Sequence, residues 1–395
     1  MKANIFLFLS SMNRGGQERF VSRLSEMLYE QYEVFVVLLN GRTINYPIYG
    51  TILDMRLDES NMSSLRNKVQ HVVVRCRNLH RFLVKYHPIA CMSFGMGPNL
   101  INLLCKCHGT RVLPSIRGYA TAERMVKNRI IRFLFRRADQ VVCVSKGIER
   151  FLQEKIPEIA SKTVVLYNGY DCQLIASQAK TEIPVPFISA GSPKIVSIGT
   201  YRPEKGYWHL IKAIFLLKKK YPNIHLTIVG PDYQDNGTNL SALVKQLGMQ
   251  EHVSFEGFCS NPHTFTAHAD VYVLSSVREG FPNALVEAMA CGTPVVAADC
   301  LTGPREILSE KPFETVATEI EQAEYGILTP PLTREEDYSL TIFPEEETLA
   351  QAIELYLEDP TLRQKYAIRA EKRAQEFSYQ VCAQHTIRIL EGDKL

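Results

Sequence analysis

Nothing in the 395 residues approaches the run of roughly 20 apolar residues that a membrane-spanning helix needs, so a helical span is excluded at the outset. The start, Met1-Lys2-Ala3-Asn4-Ile5-Phe6-Leu7-Phe8-Leu9, mimics a secretory leader, but the run is short and flows into Ser10-Ser11-Met12-Asn13-Arg14-Gly15-Gly16. A first strand ending in a glycine turn is the better reading. The ten cysteines lack a disulfide-framework spacing, and Cys105-Lys106-Cys107 is too close for a Cys-x-x-Cys metal or redox pair. Reduced, mostly buried thiols of a cytoplasmic protein are expected. There is no Asp-x-Asp pair and no His/Cys cluster; His263 and His268, five apart, do not face one side of a helix. No bound metal is therefore expected. No Gly-x-Gly-x-x-Gly marks a dinucleotide site, and no close repeat relates the two halves. The basic residues are not interleaved with a nucleic-acid motif, which argues against DNA or RNA as partner.

What is present is an ordinary globular composition, 46% hydrophobic and 22% charged, in a chain long enough for about two domains. The net charge of +3 conceals an asymmetry. Residues 1–172 carry 25 Lys+Arg against 13 Asp+Glu, a net +12; the remainder carries 20 against 29, a net −9. A basic first half implies an anionic partner there.

Strand-like runs at Ile5–Ser10, Val34–Leu39, Ile89–Phe94, Val112–Ile116, Val141–Val144 and Thr163–Leu166 alternate with helical patterns near 17–30, 64–86, 98–107, 122–137 and 146–155. Such alternation predicts an α/β fold, a parallel sheet with helices on both faces. A segment containing Pro184, Pro186, Gly191 and Pro193 has the composition of a linker. Alternation restarts at Lys194, with strands at Ile195–Ile198, Ile224–Val229, Val253–Phe255, 271–274 and 295–297. Residues from Pro344 onward read as helices. The predicted domains are 1–180 and 194–377.

The stretch around which the second domain is organised runs from Arg278-Glu279-Gly280-Phe281-Pro282-Asn283 through Glu287 to Cys291-Gly292-Thr293-Pro294. It lies between two apolar strands, so it is a loop and helix whose N-terminus sits at the carboxyl edge of the sheet. Unpaired amides and a partial positive charge make that terminus a seat for phosphate. Two glutamates alone would ordinarily be a loop and a helix-surface carboxylate. In this setting, Glu279, seven residues and Glu287 resemble the donor-sugar signature of the retaining glycosyltransferases of family 4, which have the GT-B fold of two Rossmann-like doubly wound domains facing a cleft. The resemblance implies that Glu279 binds sugar hydroxyls, that Glu287 binds the ribose of the nucleotide, and that Gly280, Phe281, Pro282 and Asn283 hold sugar and diphosphate.

Other motifs are similar to those of the same family. Gly199-Thr200-Tyr201-Arg202-Pro203-Glu204-Lys205-Gly206 resembles its phosphate loop; Lys205 matches the lysine position, whereas Thr200 stands where an arginine is usual and Arg202 follows two residues later. Gly15-Gly16-Gln17-Glu18 resembles the turn whose amides approach the donor diphosphate (Gly16) and the acceptor (Gly15). Arg117 ends a strand at the same edge, near a point where many members carry a histidine, and is assigned to the acceptor or a phosphate. Phe258 follows Gly257 where the family contacts the base; it is a candidate stacking residue, although a core position is the ordinary place for a phenylalanine. Tyr167-Asn168-Gly169-Tyr170-Asp171 is similar to the segment that closes the first domain, and the family's terminal helix implies that residues 378–395 pack back on it.

Together these imply an enzyme of the bacterial surface-polysaccharide type. It would move a hexose or N-acetylhexosamine from a nucleotide sugar, UDP-linked by analogy, to a glycan or polyprenyl-diphosphate-linked glycan. Lys205, Arg202 and the amides after Glu279 would stabilise the leaving diphosphate without a metal or other cofactor. The basic helices at Arg66–Lys85 and Arg124–Arg137, the second with Ile130, Ile131 and Leu134 on its buried face, suit a peripheral place on an anionic membrane as well as a solvated surface. A sugar-nucleotide epimerase or phosphorylase on the same scaffold, or a subunit without turnover, are the alternatives.

Overall fold

Alternation within the first strand decides how the amino-terminal unit is built. Along a strand successive side chains point to opposite faces, and here Ile5, Leu7, Leu9 on one face and Phe6, Phe8 on the other are all buried. Both faces must therefore be covered. The computed structural model of the chain describes residues 2–13, 15–56, 65–181, 187, 191–311 and 316–393; the linker predicted at 181–193 lies largely outside them. It divides into two units, Met1–Gly169 with Tyr379–Leu395, and Tyr170–Ser378.

The first unit holds β1 (Ala3–Leu9), β2 (Tyr32–Leu38), β3 (Thr51–Asp54), β4 (Ala90–Phe94), β5 (Arg111–Ile116), β6 (Val141–Cys143) and β7 (Thr163–Val165), with α1 (Gly16–Leu28), α2 (Leu65–Tyr86), α3 (Met96–Leu104), α4 (Tyr119–Lys127), α5 (Arg129–Phe135) and α6 (Lys146–Lys155). The sheet order is β3-β2-β1-β4-β5-β6-β7, parallel throughout. One face packs Ile5, Leu7 and Leu9 against Phe20, Leu24 and Leu28 of α1 and against Cys382, Ile389 and Leu390 of the C-terminal helix Tyr379–Glu391. The other packs Phe6 and Phe8 against Leu79 and Leu83 of α2 and Ile101 of α3. Each such fully buried Leu or Phe contributes about 1.5–3 kcal/mol. The C-terminal helix is fixed further by Arg111, whose Nη1 donates to the Ile389 carbonyl at 2.7 Å.

Two features of this unit depart from the sequence reading. Strand β3 is a sheet edge in which only Leu53 is buried, so it carries no apolar run. The basic helix expected over 122–137 is two helices. Asn128 stands between them with φ −111° and ψ 109°, and its side chain accepts from the N–H groups of Ile130 and Ile131. An asparagine that caps a new helix competes with continuation of the old one. The break rotates Ile130 outward, 72% exposed, while Ile131 and Phe135 are buried.

The second unit holds α7 (Cys172–Ala179), β8 (Lys194–Ile198), α8 (Tyr207–Leu217), β9 (His225–Val229), α9 (Asn236–Gln246), β10 (Val253–Gly257), α10 (His263–Ala267), β11 (Val271–Leu274), α11 (Asn283–Ala290), β12 (Val295–Ala298), α12 (Pro304–Leu308), β13 (Glu321–Gln322), β14 (Ile327–Thr329), α13 (Pro344–Glu358) and α14 (Pro360–Ala374). Its sheet runs β10-β9-β8-β11-β12-β14-β13, with only β13 antiparallel. Residues 170–180, placed by sequence at the end of the first domain, lie in this unit, where the Cys172 thiol donates to the Ala374 carbonyl at 3.5 Å. In both sheets chain order reverses beside the first strand, between β1 and β4 and between β8 and β11. Doubly wound sheets bind ligands outside the carboxyl ends of strands at that reversal.

Candidate functional site

At the reversal point of the second sheet, β8 and β11 lie side by side, so the loops that follow them meet. The loop after β8 carries Lys205 at the end of the short 3-10 turn Pro203–Lys205. The loop after β11 carries Glu279. Lys205 Nζ lies 2.6 Å from Glu279 Oε1, with 23% and 12% of the two side chains exposed. Ser276 Oγ donates to the same carboxylate oxygen at 2.8 Å, and Thr302 Oγ1 donates to the Glu279 carbonyl at 2.5 Å. Gly206, which follows Lys205, has φ +59° and packs where any Cβ would overlap the Ser275 carbonyl, so only glycine closes this turn. The negative charge is felt in the core beneath: burial first, then Glu279, pushes the Tyr272 hydroxyl far up, and burial, Glu279 and Asp299 do the same to the Cys300 thiol.

The remaining residues of the Glu279 loop divide into backbone and side-chain elements. Phe281 is 6% exposed and packs edge-on against Phe377 at 5.5 Å between centroids, so its ring is core. Pro282 is buried and precedes α11, whose first residue, Asn283, accepts from the Tyr170 hydroxyl at 2.6 Å. Glu287 is 5% exposed within the buried run Leu285–Ala290. Phe258 is 60% exposed, directly after Gly257 at the end of β10; the ring stands out from the surface, not in the core where a phenylalanine would ordinarily sit.

Arg202 does not lie with Lys205 on Glu279. Its guanidinium sits 4.1 Å over the ring of Tyr233, in the loop after β9. These loops are laced together. Tyr201 N donates to the Pro231 carbonyl at 3.0 Å, Asn236 Nδ2 to the Tyr201 carbonyl at 3.2 Å, and Gly257 N to the Tyr201 hydroxyl at 3.2 Å. Gly230 approaches Gly199 so closely that a Cβ would overlap the Gly199 carbonyl. Buried Tyr201 thus ties the loops after β8, β9 and β10 at one edge of the sheet. Tyr201 and Tyr233 escape a sequence reading because the partner of each is brought near only by strand pairing; Ser276 lies three residues from its partner Glu279, but a loop serine carries no signal of its own.

In the first unit, Gly15 and Gly16 stand at the β1–α1 turn as expected from sequence. The Glu18 side chain folds back onto Gly15, leaving no room for a Cβ, and burial raises its carboxyl pKa. Arg117 follows β5, but its guanidinium stacks 3.9 Å over Phe20, donates to the Leu166 carbonyl at 3.2 Å and bonds Asn168. Those contacts make it a brace between strand ends, and any acceptor would have to compete for its donors. On α5 the exposed Ile130 and Phe133 (63%) project among exposed Arg129, Arg136 and Arg137. No helix among the described residues is long and apolar enough to cross a membrane.

The chain has counterparts among known proteins. A family model described as Glycosyltransferase Family 4 matches residues 14–174, and one described as Glycosyl transferases group 1 matches residues 179–323. An N-acetylgalactosamine-N,N'-diacetylbacillosaminyl-diphospho-undecaprenol 4-alpha-N-acetylgalactosaminyltransferase of Campylobacter jejuni is 27% identical over 98% of this chain and 99% of its own length. An uncharacterized glycosyltransferase of Methanocaldococcus jannaschii is 29% identical over 66% of this chain and 65% of its own length. Among solved structures, Anabaena Alr3699/HepE in complex with UDP superposes with a TM-score of 0.74 at 21% identity, covering 99% of this chain and all of that one. The lipopolysaccharide outer core galactosyltransferase WaaB superposes at 0.68 and 15% identity, over 98% and 99% of the two chains. Both likenesses are likenesses of fold, two Rossmann-like parallel-sheet domains of the GT-B kind. The two family models together match most of residues 14–323, and on those matches the protein belongs to the glycosyltransferases of family 4.

Proposed function

We propose that this enzyme moves a hexose or N-acetylhexosamine from a UDP-sugar, with retention of anomeric configuration, to a polyprenyl-diphosphate-linked or other lipid-linked glycan during polysaccharide assembly. The observation that carries the reading is the 2.6 Å pair of Lys205 and Glu279 beside the N-terminus of α11. As the bond from sugar to diphosphate breaks, negative charge grows on the leaving oxygen, and the proposal gives three groups the task of stabilising it. Lys205 supplies a fixed cation, Arg202 a second one, and the amides of 280–283 supply oriented donors at a helix N-terminus. None of these must reorganise as charge develops, so no metal is required of the step. Glu279 is assigned to the sugar hydroxyls, accepting from them and so positioning the sugar. Glu287 is assigned to the ribose, the exposed Phe258 ring to the base, Gly16 to the diphosphate and Gly15 to the acceptor side.

The acceptor class rests on the relative from Campylobacter, matched end to end and named for a diphospho-undecaprenol substrate. UDP as the nucleotide rests on the HepE complex. A lipid-linked acceptor also explains the net +12 of residues 1–172, and α5 would rest on the cytoplasmic face of an anionic bilayer with Ile130 and Phe133 inserted. The test is a panel of UDP-sugars offered with a polyprenyl-diphosphate glycan, comparing the native enzyme with Glu279→Ala. Transfer from one donor, lost in a variant that keeps its melting temperature within a few degrees, is expected. Undiminished turnover by Glu279→Ala would remove the sugar contact from the scheme.

A further inference from the structure

Arg202 and Tyr233 form a unit that the reaction scheme alone does not call for. Arg202 is exposed, and an exposed arginine ordinarily spreads over many rotamers. Here the guanidinium carbon lies over the Tyr233 ring, 4.1 Å from its centroid. A cation–π contact restrains the guanidinium and consumes none of its N–H donors.

The ring itself is held. Asp232 Oδ1 accepts from Tyr233 N at 2.7 Å and from Gly237 N at 2.9 Å, which closes the loop into a turn. The next two residues, Gln234 and Asp235, both adopt left-handed backbone, φ +54° and +56°. Consecutive non-glycine residues take that conformation only where the surroundings impose it, and such strain collects at functional sites. Tyr233 is 38% exposed and is not part of the hydrophobic core of its unit, so packing does not explain the strained turn. The loop is also bound to the Lys205 loop, through Tyr201 N on the Pro231 carbonyl.

We infer that Tyr233 is a positioning residue: the strained turn after β9 presents its ring as a platform that aims the Arg202 fork at the diphosphate of the donor. This rests on the donor-site reading above. Tyr233 touches no reacting atom in this account and acts only through Arg202.

The experiment is a double-mutant cycle, read by calorimetric binding of UDP and by donor KM and kcat. Tyr233→Ala should weaken UDP binding and raise donor KM about two- to five-fold, the scale of an exposed cation–π contact. Arg202→Ala should cost at least as much, and Tyr233→Ala should add nothing in the Arg202→Ala background. Tyr233→Phe, which keeps the ring, should behave as the native protein. Additive effects, an inert Tyr233→Ala, or a Tyr233→Phe as impaired as the alanine variant would each overturn the inference. Lys205→Ala separates the two levels. If it leaves UDP binding intact, the donor-site reading itself falls; if it abolishes binding while Arg202→Ala and Tyr233→Ala do not move it, only the platform does.

Discussion

Replacing Lys205 by alanine separates a structural ion pair from a catalytic one. Two unit charges at the observed 2.6 Å attract by about 6 kcal/mol at an effective dielectric near 20. Most of that is offset by the partial desolvation of both groups, and 23% and 12% of the side chains still meet solvent. The net loss of stability should be about 1–2 kcal/mol, a fall of roughly 2–8 °C in melting temperature for a domain of this size. Catalysis should suffer far more, because a fixed donor aimed at developing negative charge is worth about 10²–10³ in kcat. Melting should be followed by calorimetry and transfer by release of UDP from the donor. A second variant, Lys205→Ala with Glu279→Gln, removes the stranded carboxylate; it should recover part of the lost melting temperature and none of the lost rate. The reasoning is refuted if Lys205→Ala keeps kcat within about threefold, or if the double variant recovers activity along with stability.

Three further outcomes are expected. Transfer should proceed unchanged after treatment with a strong chelator, and a rate restored only by added divalent cation would contradict the assignment of leaving-group charge to Lys205, Arg202 and backbone amides. Ile130→Asp with Phe133→Asp should abolish sedimentation with vesicles rich in anionic lipid while leaving UDP binding intact; unchanged sedimentation would put membrane contact elsewhere. Burial lowers the pKa of His225 below its ordinary 6.5. The unfolded chain therefore takes up a proton that the folded chain resists, so stability should fall as pH drops through and below 6.5 and be regained above it. His225→Gln should flatten that acid-side slope in denaturant melts, and an unchanged slope would acquit the residue.

The parts of the site legible in sequence are those made by contiguous residues. The strand–loop–helix around Glu279 and the loop around Lys205 are local patterns, and strand order then brings them together without further information. The break at Asn128 is a local event too, yet the amphipathic pattern runs through it, so periodicity reads one helix where capping makes two. With the break goes the orientation of Ile130, read as buried and found 72% exposed. Strand β3 hides because an edge strand with one buried residue needs no apolar run. The Arg202–Tyr233 stack hides for a different reason: its partners lie on loops after successive strands, and their meeting depends on how closely Gly230 lets those loops approach. Phe281 and Phe258 show the limit of residue type. Two phenylalanines in two loops of one sheet edge look alike in sequence, and one is core while the other stands in solvent.

The helix Tyr379–Glu391 is made after residues 170–378 and belongs to the unit begun before them. Until it leaves the ribosome, the face that receives Cys382, Ile389 and Leu390 is bare, and Arg111 has no Ile389 carbonyl to bind. Residues 170–378 separate the two pieces, an interval of roughly 10–40 s at ~5–20 residues per second. The second unit, continuous in the chain, can mature first, while the nascent first unit waits with an apolar stripe open to chaperones. A premature stop just before residue 379 would leave every residue of the Lys205–Glu279 site in place and still yield a protein prone to aggregate.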